Sequence, residues 1–155
     1  MRLAYLSLGS NLGDRGAHLA AGVDLVTEGD EYRVSSVYET DPIGGVVQDK
    51  FWNMVVELTT DATPRELLVR AQRAEAARDR VRDVRHGPRT LDVDVLIVGD
   101  ERSHDPEILI PHPRMYERSF VLVPLHELAP GLITPALLAG GVGGVVRLGT
   151  LESLR

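Results

Sequence analysis

From Leu3 to Val98 the apolar residues switch between the two-residue period of a strand and the three-to-four-residue period of a helix, in the order strand, helix, strand, strand, helix, strand. Leu3 to Leu8 (LAYLSL) reads as a short buried strand, ended by Gly9 in the turn-rich segment GSNLGDRG. Leu19, Val23 and Val26 then recur at helical spacing from about His18 to Thr27, before the acidic stretch EGDE. Arg33 to Thr40 (RVSSVYET) is β-branched and alternating, and Asp41-Pro42-Ile43-Gly44-Gly45 ends it as a loop. Phe51 to Thr59 is a third strand. Thr63-Pro64-Arg65-Glu66 has the form of a helix N-terminus, with Pro in the first turn and Glu close behind, and predicts a helix to about Arg78. Gly87-Pro88 breaks the chain, and Thr90 to Val98 (TLDVDVLIV) forms a fourth strand.

Two split strand-helix-strand units of this kind predict an α+β fold, a ferredoxin-like sandwich with a β-α-β-β-α-β core. The expected antiparallel sheet carries helices on one face and leaves the other free to bind. Beyond Asp100 lie Ile110-Pro111-His112-Pro113, a short helix from Ser119 to Leu128, and a Gly-rich end with Gly140, Gly141, Gly143 and Gly144, read as an irregular cover. There is no internal repeat and no interdomain linker, and 155 residues suit one domain, so residues 1–155 are read as a single unit. At 43% apolar and 26% charged residues the chain has the composition of a protein that folds by itself. No apolar stretch approaches the ~20 residues of a membrane span, and the first residues lack a signal-peptide pattern, so a cytoplasmic location without membrane contact is the expectation. The absence of cysteine excludes disulfides, thiolate metal sites and cysteine nucleophiles; a catalytic metal must sit on oxygen or imidazole ligands.

Charge narrows the function further. The basic residues are sixteen Arg and a single Lys, Lys50, which is followed by Phe51 rather than Ser or Thr, so a Walker-type phosphate loop is excluded. A net charge of −6 argues against broad nucleic-acid binding. Yet seven of the sixteen Arg fall between Arg70 and Arg89, opposed there only by Glu75, Asp79 and Asp83. Next to this cluster, the D-x-D of Asp92 and Asp94 places two carboxylates on one side of a strand, about 6 to 7 Å apart. A wet outer strand face is the ordinary reading of such a pair. The adjoining Arg residues favour a magnesium-triphosphate site, in which metals bridge phosphate oxygens and guanidinium groups neutralise the rest. Gln72 and Glu75 share a helix face, either as ribose or phosphate contacts or as exposed surface. Arg78, Arg80, Arg82 and Arg85 form either an Arg-bearing lid or an ordinary surface loop. Phe51, Phe120 and Asn53 fit either a core or a platform for a flat heterocycle, and His112 and Arg118 are either turn residues or late phosphate ligands. His18, His104 and His126 show no metal-ligand spacing and are read as structural.

Taken together, AYLSLGSNLGDR, SSVYETDPIG, FWNMVVEL, QRAEAARDRVR, RHGPRTLDVDVL and IPHPRMYERSFVLVPLHELAP, in this order and spacing over residues 3 to 130, resemble the 6-hydroxymethyl-7,8-dihydropterin pyrophosphokinase family of folate biosynthesis. The resemblance implies transfer of the β,γ-pyrophosphoryl group of ATP to the hydroxymethyl oxygen of the pterin, with release of AMP. It implies two magnesium ions on Asp92 and Asp94. The pterin would lie between Phe51 and Phe120, its polar edge read by Asn53 and by backbone near Thr40, Pro42 and Ile43. ATP would meet Gln72, Glu75, Arg82, Arg89, His112 and Arg118, with Arg80 on a mobile loop and Arg80, Arg82 and Arg89 acting in catalysis. A monomer with small-molecule partners only is the matching expectation.

The sequence departs from the family pattern where His86 stands in the place of a Trp that often closes the loop, where Pro113 follows His112 in place of a Tyr, and in the Gly- and Val-rich loop from Gly44 to Lys50; the tail after Pro135 shows no match. Two other classes compete. In an RNA-binding sheet of this topology, aromatics rather than Asp92 and Asp94 would occupy the outward positions. A metal-dependent phosphohydrolase could use the same D-x-D, but its product would not depend on a pterin.

Overall fold

The computed structural model describes residues 1–41, 48–78 and 90–154. Strand β1 (Arg2–Ser10) turns into helix α1 (Arg15–Thr27), followed by β2 (Glu31–Val34), β3 (Val37–Thr40), β4 (Phe51–Thr60), α2 (Pro64–Ala77) and β5 (Asp92–Val98). A hairpin of β6 (Ser103–Asp105) and β7 (Ile108–Ile110) leads to α3 (Ser119–Leu128), α4 (Pro135–Gly140), β8 (Val145–Gly149) and α5 (Leu151–Leu154). Helix α1 starts a turn earlier than its apolar spacing suggests, because the Asp14 side chain accepts the Ala17 N–H at 3.0 Å and caps it. Helix α2 opens on the expected signal, a capping box in which Thr63 and Glu66 each accept the other's backbone N–H, with Pro64 in the first turn.

The main sheet runs β5-β1-β4-β3-β8, with β2 also paired to β4, and every pairing in it is antiparallel. With β2 and β3 counted as one strand, its first four members have the order expected of the ferredoxin-like core. The expected strand from Arg33 to Thr40 is split by a bulge. Val34 opposes Val56 while Tyr38 opposes Asn53, so three residues face two, and Ser35 fills the gap by accepting the Val55 N–H on its hydroxyl at 2.9 Å.

Alternation assigns the two faces. On one, Leu6, Leu8, Met54, Val56, Leu58, Val93 and Val95 are buried against Leu19, Val23 and Val26 of α1 and Leu67, Ala71 and Ala74 of α2. The helix lies close at Gly22, where an added Cβ would come 2.8 Å from Leu8 Cδ2.

The second face corrects the expectation of a wholly free surface. Tyr5, Val55 and Leu96 are apolar and point outward at one end, and Val121, Leu122, Leu125 and Leu128 of α3 cover them together with Met115 and Ile133. Among the described residues, only the other half of that face is left uncovered. The tail is likewise more ordered than the irregular cover expected, since β8 pairs with β3 from Val145 opposite Thr40 to Gly149 opposite Val37. Among the described residues, no helix is long and apolar enough to cross a membrane.

Under the covered half, Glu57 is buried and accepts from Tyr5 Oη at 2.7 Å and from Arg33 Nε and Nη2 at 2.8 and 2.9 Å. The Arg33 hydrogen bonds hold its carboxyl below the usual glutamate range, against the effect of burial. Its stabilising contribution is therefore complete above the unfolded-state pKa and is lost as the pH falls through the folded value. Glu57→Gln is expected to lower unfolding free energy at pH 7 by about 1 to 3 kcal/mol, with the difference from wild type shrinking below about pH 4. Urea titrations at several pH values measure this, and a gap that persists in acid would contradict it.

Candidate active site

The uncovered half-face is organised by sheet register. Tyr38 opposes Asn53, Asn53 opposes Gly9, and Gly9 opposes Asp92, so these four residues form one row across β3, β4, β1 and β5. Directly opposed residues share a face, and two strand spacings put the Asn53 and Asp92 backbones about 10 Å apart. Gly9 stands between them because nothing larger fits: a Cβ there would collide with Asn53 Oδ1 and sit 3.5 Å from Phe51 Cδ1. Asn53 is buried and donates from Nδ2 to Thr40 Oγ1 at 2.6 Å, which fixes its amide and leaves Oδ1 toward Gly9. Thr40 opposes Phe51, whose ring is half-buried.

The next row carries Asp94, opposite Ser7. Its carboxylate is 44% exposed, with Arg118 Nη1 at 3.9 Å and His112 Nε2 at 4.0 Å. Burial is the main cause pushing the His112 pKa down, with Arg118 and Arg114 adding to it against the attraction of Asp94, so the ring is neutral at pH 7. Its Nδ1 accepts the Arg114 N–H at 3.2 Å, which places the ring proton on Nε2, the nitrogen nearer Asp94. The guanidinium of Arg118 also lies 5.5 Å from the centre of the Phe120 ring. His112 and Arg118 thus belong to the surroundings of the D-x-D pair.

Glu75 is 6% exposed, and its Oε2 accepts the buried Val93 N–H at 3.0 Å. It reaches from α2 to the residue between Asp92 and Asp94, so an exposed helix surface is the wrong description for it. Gln72, one turn earlier, is exposed. Asp92 and Asp94 are both half-buried and point to the same side of β5. The donor set they present is hard oxygen, suited to magnesium or calcium rather than to a soft transition metal. Pro42, Ile43, Arg80, Arg82, Arg89 and His86 lie outside the described residues.

Sequence reasoning passes over three contributors. Asn11 is buried and donates to Gln48 Oε1 and to the Asp49 carbonyl, both at 2.8 Å, anchoring the chain just before Phe51. Glu127 on α3 accepts from Tyr38 Oη and from the Ser36 N–H at 3.0 Å, binding the helix that carries Phe120 to the strand that carries Thr40. His18, read as structural, accepts at Nδ1 from Arg78 Nε at 3.0 Å, beside the end of α2. The GSN sequence and the Glu of α3 were visible, but their partners lie more than thirty residues away and have no local signal.

A family model described as 7,8-dihydro-6-hydroxymethylpterin-pyrophosphokinase matches residues 5–130. The chain is similar to proteins named 2-amino-4-hydroxy-6-hydroxymethyldihydropteridine pyrophosphokinase from three bacteria. The identity is 46% to that of Bacillus subtilis, covering 81% of this chain and 77% of the relative. It is 44% to that of Methylorubrum extorquens, covering 86% of each. For Pseudomonas aeruginosa the identity is 42%, over 84% of this chain and 83% of the relative.

The Glu75 contact has a measurable weight. Glu75→Ala leaves the buried Val93 N–H without that acceptor and is expected to cost about 1 to 3 kcal/mol of stability, whereas exposed Gln72→Ala should stay within about 0.5 kcal/mol. Equal urea midpoints for the two variants would show that the bond fixes nothing.

Proposed function

This chain belongs to the 7,8-dihydro-6-hydroxymethylpterin-pyrophosphokinase family, and from that premise we infer how its residues divide the work. It is an ATP-dependent pyrophosphokinase of folate biosynthesis: the hydroxymethyl oxygen of 6-hydroxymethyl-7,8-dihydropterin attacks the β-phosphorus of ATP. The bond from that phosphorus to the oxygen bridging it to the α-phosphate breaks, AMP leaves with the bridging oxygen, and the hydroxyl proton is released. The observation that carries the assignment of parts is the Asn53–Gly9–Asp92 row, which sets an amide beside an aromatic ring about 10 Å from a carboxylate pair on one uncovered face. A two-ring heterocycle with a one-carbon arm spans such a gap.

We propose that Phe51 and Phe120 sandwich the pterin and that Asn53 reads its edge, with backbone at Thr40, Pro42 and Ile43 supplying further contacts. Gln72, His112, Arg118, Arg82 and Arg89 take the nucleotide, and Glu75 serves the nucleotide site from beneath by fixing β5. Two magnesium ions would be held by Asp92 and Asp94; when bound they neutralise phosphate oxygens and polarise the hydroxymethyl oxygen. The neutral His112 presents an N–H rather than a charge toward this side, and Arg118 offers charge-assisted hydrogen bonds to phosphate. Arg80, Arg82 and Arg89 stabilise the charge that develops during transfer. The 155 residues act as one domain, a view supported by the pairing of β8 into the same sheet as β1. A monomer in the cytoplasm, where ATP is supplied, is the form proposed.

Incubation with ATP, magnesium and the reduced hydroxymethylpterin should yield AMP, and only when the pterin is present; ADP or phosphate formed without pterin would overturn the assignment. Asp92→Ala and Asp94→Ala are expected to lower turnover by at least about a thousandfold with an unchanged circular dichroism spectrum. Near-normal turnover in either variant would remove the metal assignment. Arg80→Ala and Arg82→Ala should slow single-turnover transfer far more than they weaken ATP binding, since their charge is engaged most in the transition state. The opposite split, weak binding with an unchanged rate, would make them ground-state ligands.

A further inference from the structure

The family match ends at residue 130, and the tail beyond it returns to the site. After α4 the chain passes the start of α3: the Val142 N–H donates to the Glu117 carbonyl at 2.9 Å, and the Ser119 N–H donates to the Val142 carbonyl at 3.2 Å. Three residues later Val145 pairs with Thr40 in the sheet. One side of this span is therefore tied to the turn that bears Arg118 and Phe120, and the other to the strand end beside Phe51. We propose that residues 142–145 are a strap that sets the separation of the two halves of the pterin platform, so that Gly143 and Gly144 are positioning residues for pterin binding. The proposal rests on the assignment of Phe51 and Phe120 to the pterin.

The span acts as a ruler because it is short. Three residue steps reach at most about 11 Å between Val142 and Val145 when fully extended. The strap adds to the fastening α3 already has from its apolar packing on the sheet and from the bonds of Glu127 to Ser36 and Tyr38, which lie at the far end of the helix from Phe120. The path requires glycine at 143, and at 144 a side chain displaces a neighbouring carboxylate. Gly143 has φ +111, a conformation that L side chains rarely adopt, yet nothing lies within 4 Å of a Cβ built on it. At Gly144 the conformation is ordinary, but a Cβ would stand 2.8 Å from Asp41 Oδ2, and Asp41 pairs with Lys50 at 3.5 Å on the chain that leads into Phe51. Position 143 thus tests backbone conformation and position 144 tests packing, through two independent physical causes.

The experiment is calorimetric titration of the full chain with the reduced hydroxymethylpterin, in magnesium and a non-hydrolysable ATP analogue, for Gly143→Ala and Gly144→Ala. Each is expected to raise the pterin Kd about tenfold while the Kd of the analogue changes by less than about twofold. Gly29→Ala is the control, because Gly29 also has positive φ (+83) and open space, but lies at the opposite end of β4 from Phe51. It should lose thermal stability comparably and bind pterin as wild type does. Wild-type pterin affinity in both strap variants, or a parallel loss for pterin and nucleotide that tracks stability as in the control, would overturn the proposal. Phe120→Ala separates the two levels: lost pterin affinity there with intact strap variants rejects the strap alone, and unchanged affinity there rejects the platform and the strap together.

Discussion

The register of β1 between β4 and β5 is the constraint on which the site depends. Strand side chains alternate with a period of two, so a slip of one residue would turn Asn53 or Asp92 into the core and bring Met54 or Val93 outward. Such a slip is opposed by the buried set Leu6, Leu8, Met54, Val56, Val93 and Val95, which has to face α1 and α2. The amide and the carboxylates are thus aligned by hydrophobic burial some distance from the chemistry. Gly9 marks where the arrangement is tightest: the strand passes between the two functional groups with no side chain of its own.

Three carboxylates, two of them buried (Glu57 and Glu75) and one exposed (Glu127), fasten the layers around that sheet. Glu57 joins Tyr5 on β1 to Arg33 on β2, Glu75 joins α2 to β5, and Glu127 joins α3 to β3. The two buried ones, Glu57 and Glu75, accept hydrogen bonds, the condition under which burying a carboxylate is tolerable. Their work differs from that of Asp92 and Asp94, which stay half-buried on the uncovered face. Hydrogen bonds that cross from one element to another mark the fastening carboxylates, whereas Asp94 stands half-buried near Arg118 and His112.

Much of this was readable in the sequence, and what was not has a common cause. The order of elements, the capping box of α2, the bounds of α3 and the shared side of Asp92 and Asp94 all follow from local periodicity and turn chemistry. The bulge at Ser35 escapes that reasoning because RVSSVYET keeps its alternation on either side, and only the partner strand reveals the extra residue. The burial of Glu75 is hidden for a similar reason: its acceptor role is toward a backbone N–H eighteen residues on. Covering of the second face by α3, and the entry of β8 into the sheet, depend on tertiary fit; the Gly-rich stretch before β8 carries no local signal of the strand that follows it. For the site, residues on strands were placeable in advance, while Asn11, Gly9 and Glu127 act through partners distant in sequence.

The pairing of β8 with β3 also bears on how the molecule is made. Val145 and Thr40 are separated by about a hundred residues, whereas β1, β4 and β5 with α1 and α2 can assemble from the first two-thirds of the chain. Long loop closure delays contacts of high sequence separation, so β3 waits with a bare edge until the last strand arrives. On the ribosome that edge is open to pairing with other chains during synthesis. Docking of β8 closes that edge in the same late step that sets Val145 opposite Thr40.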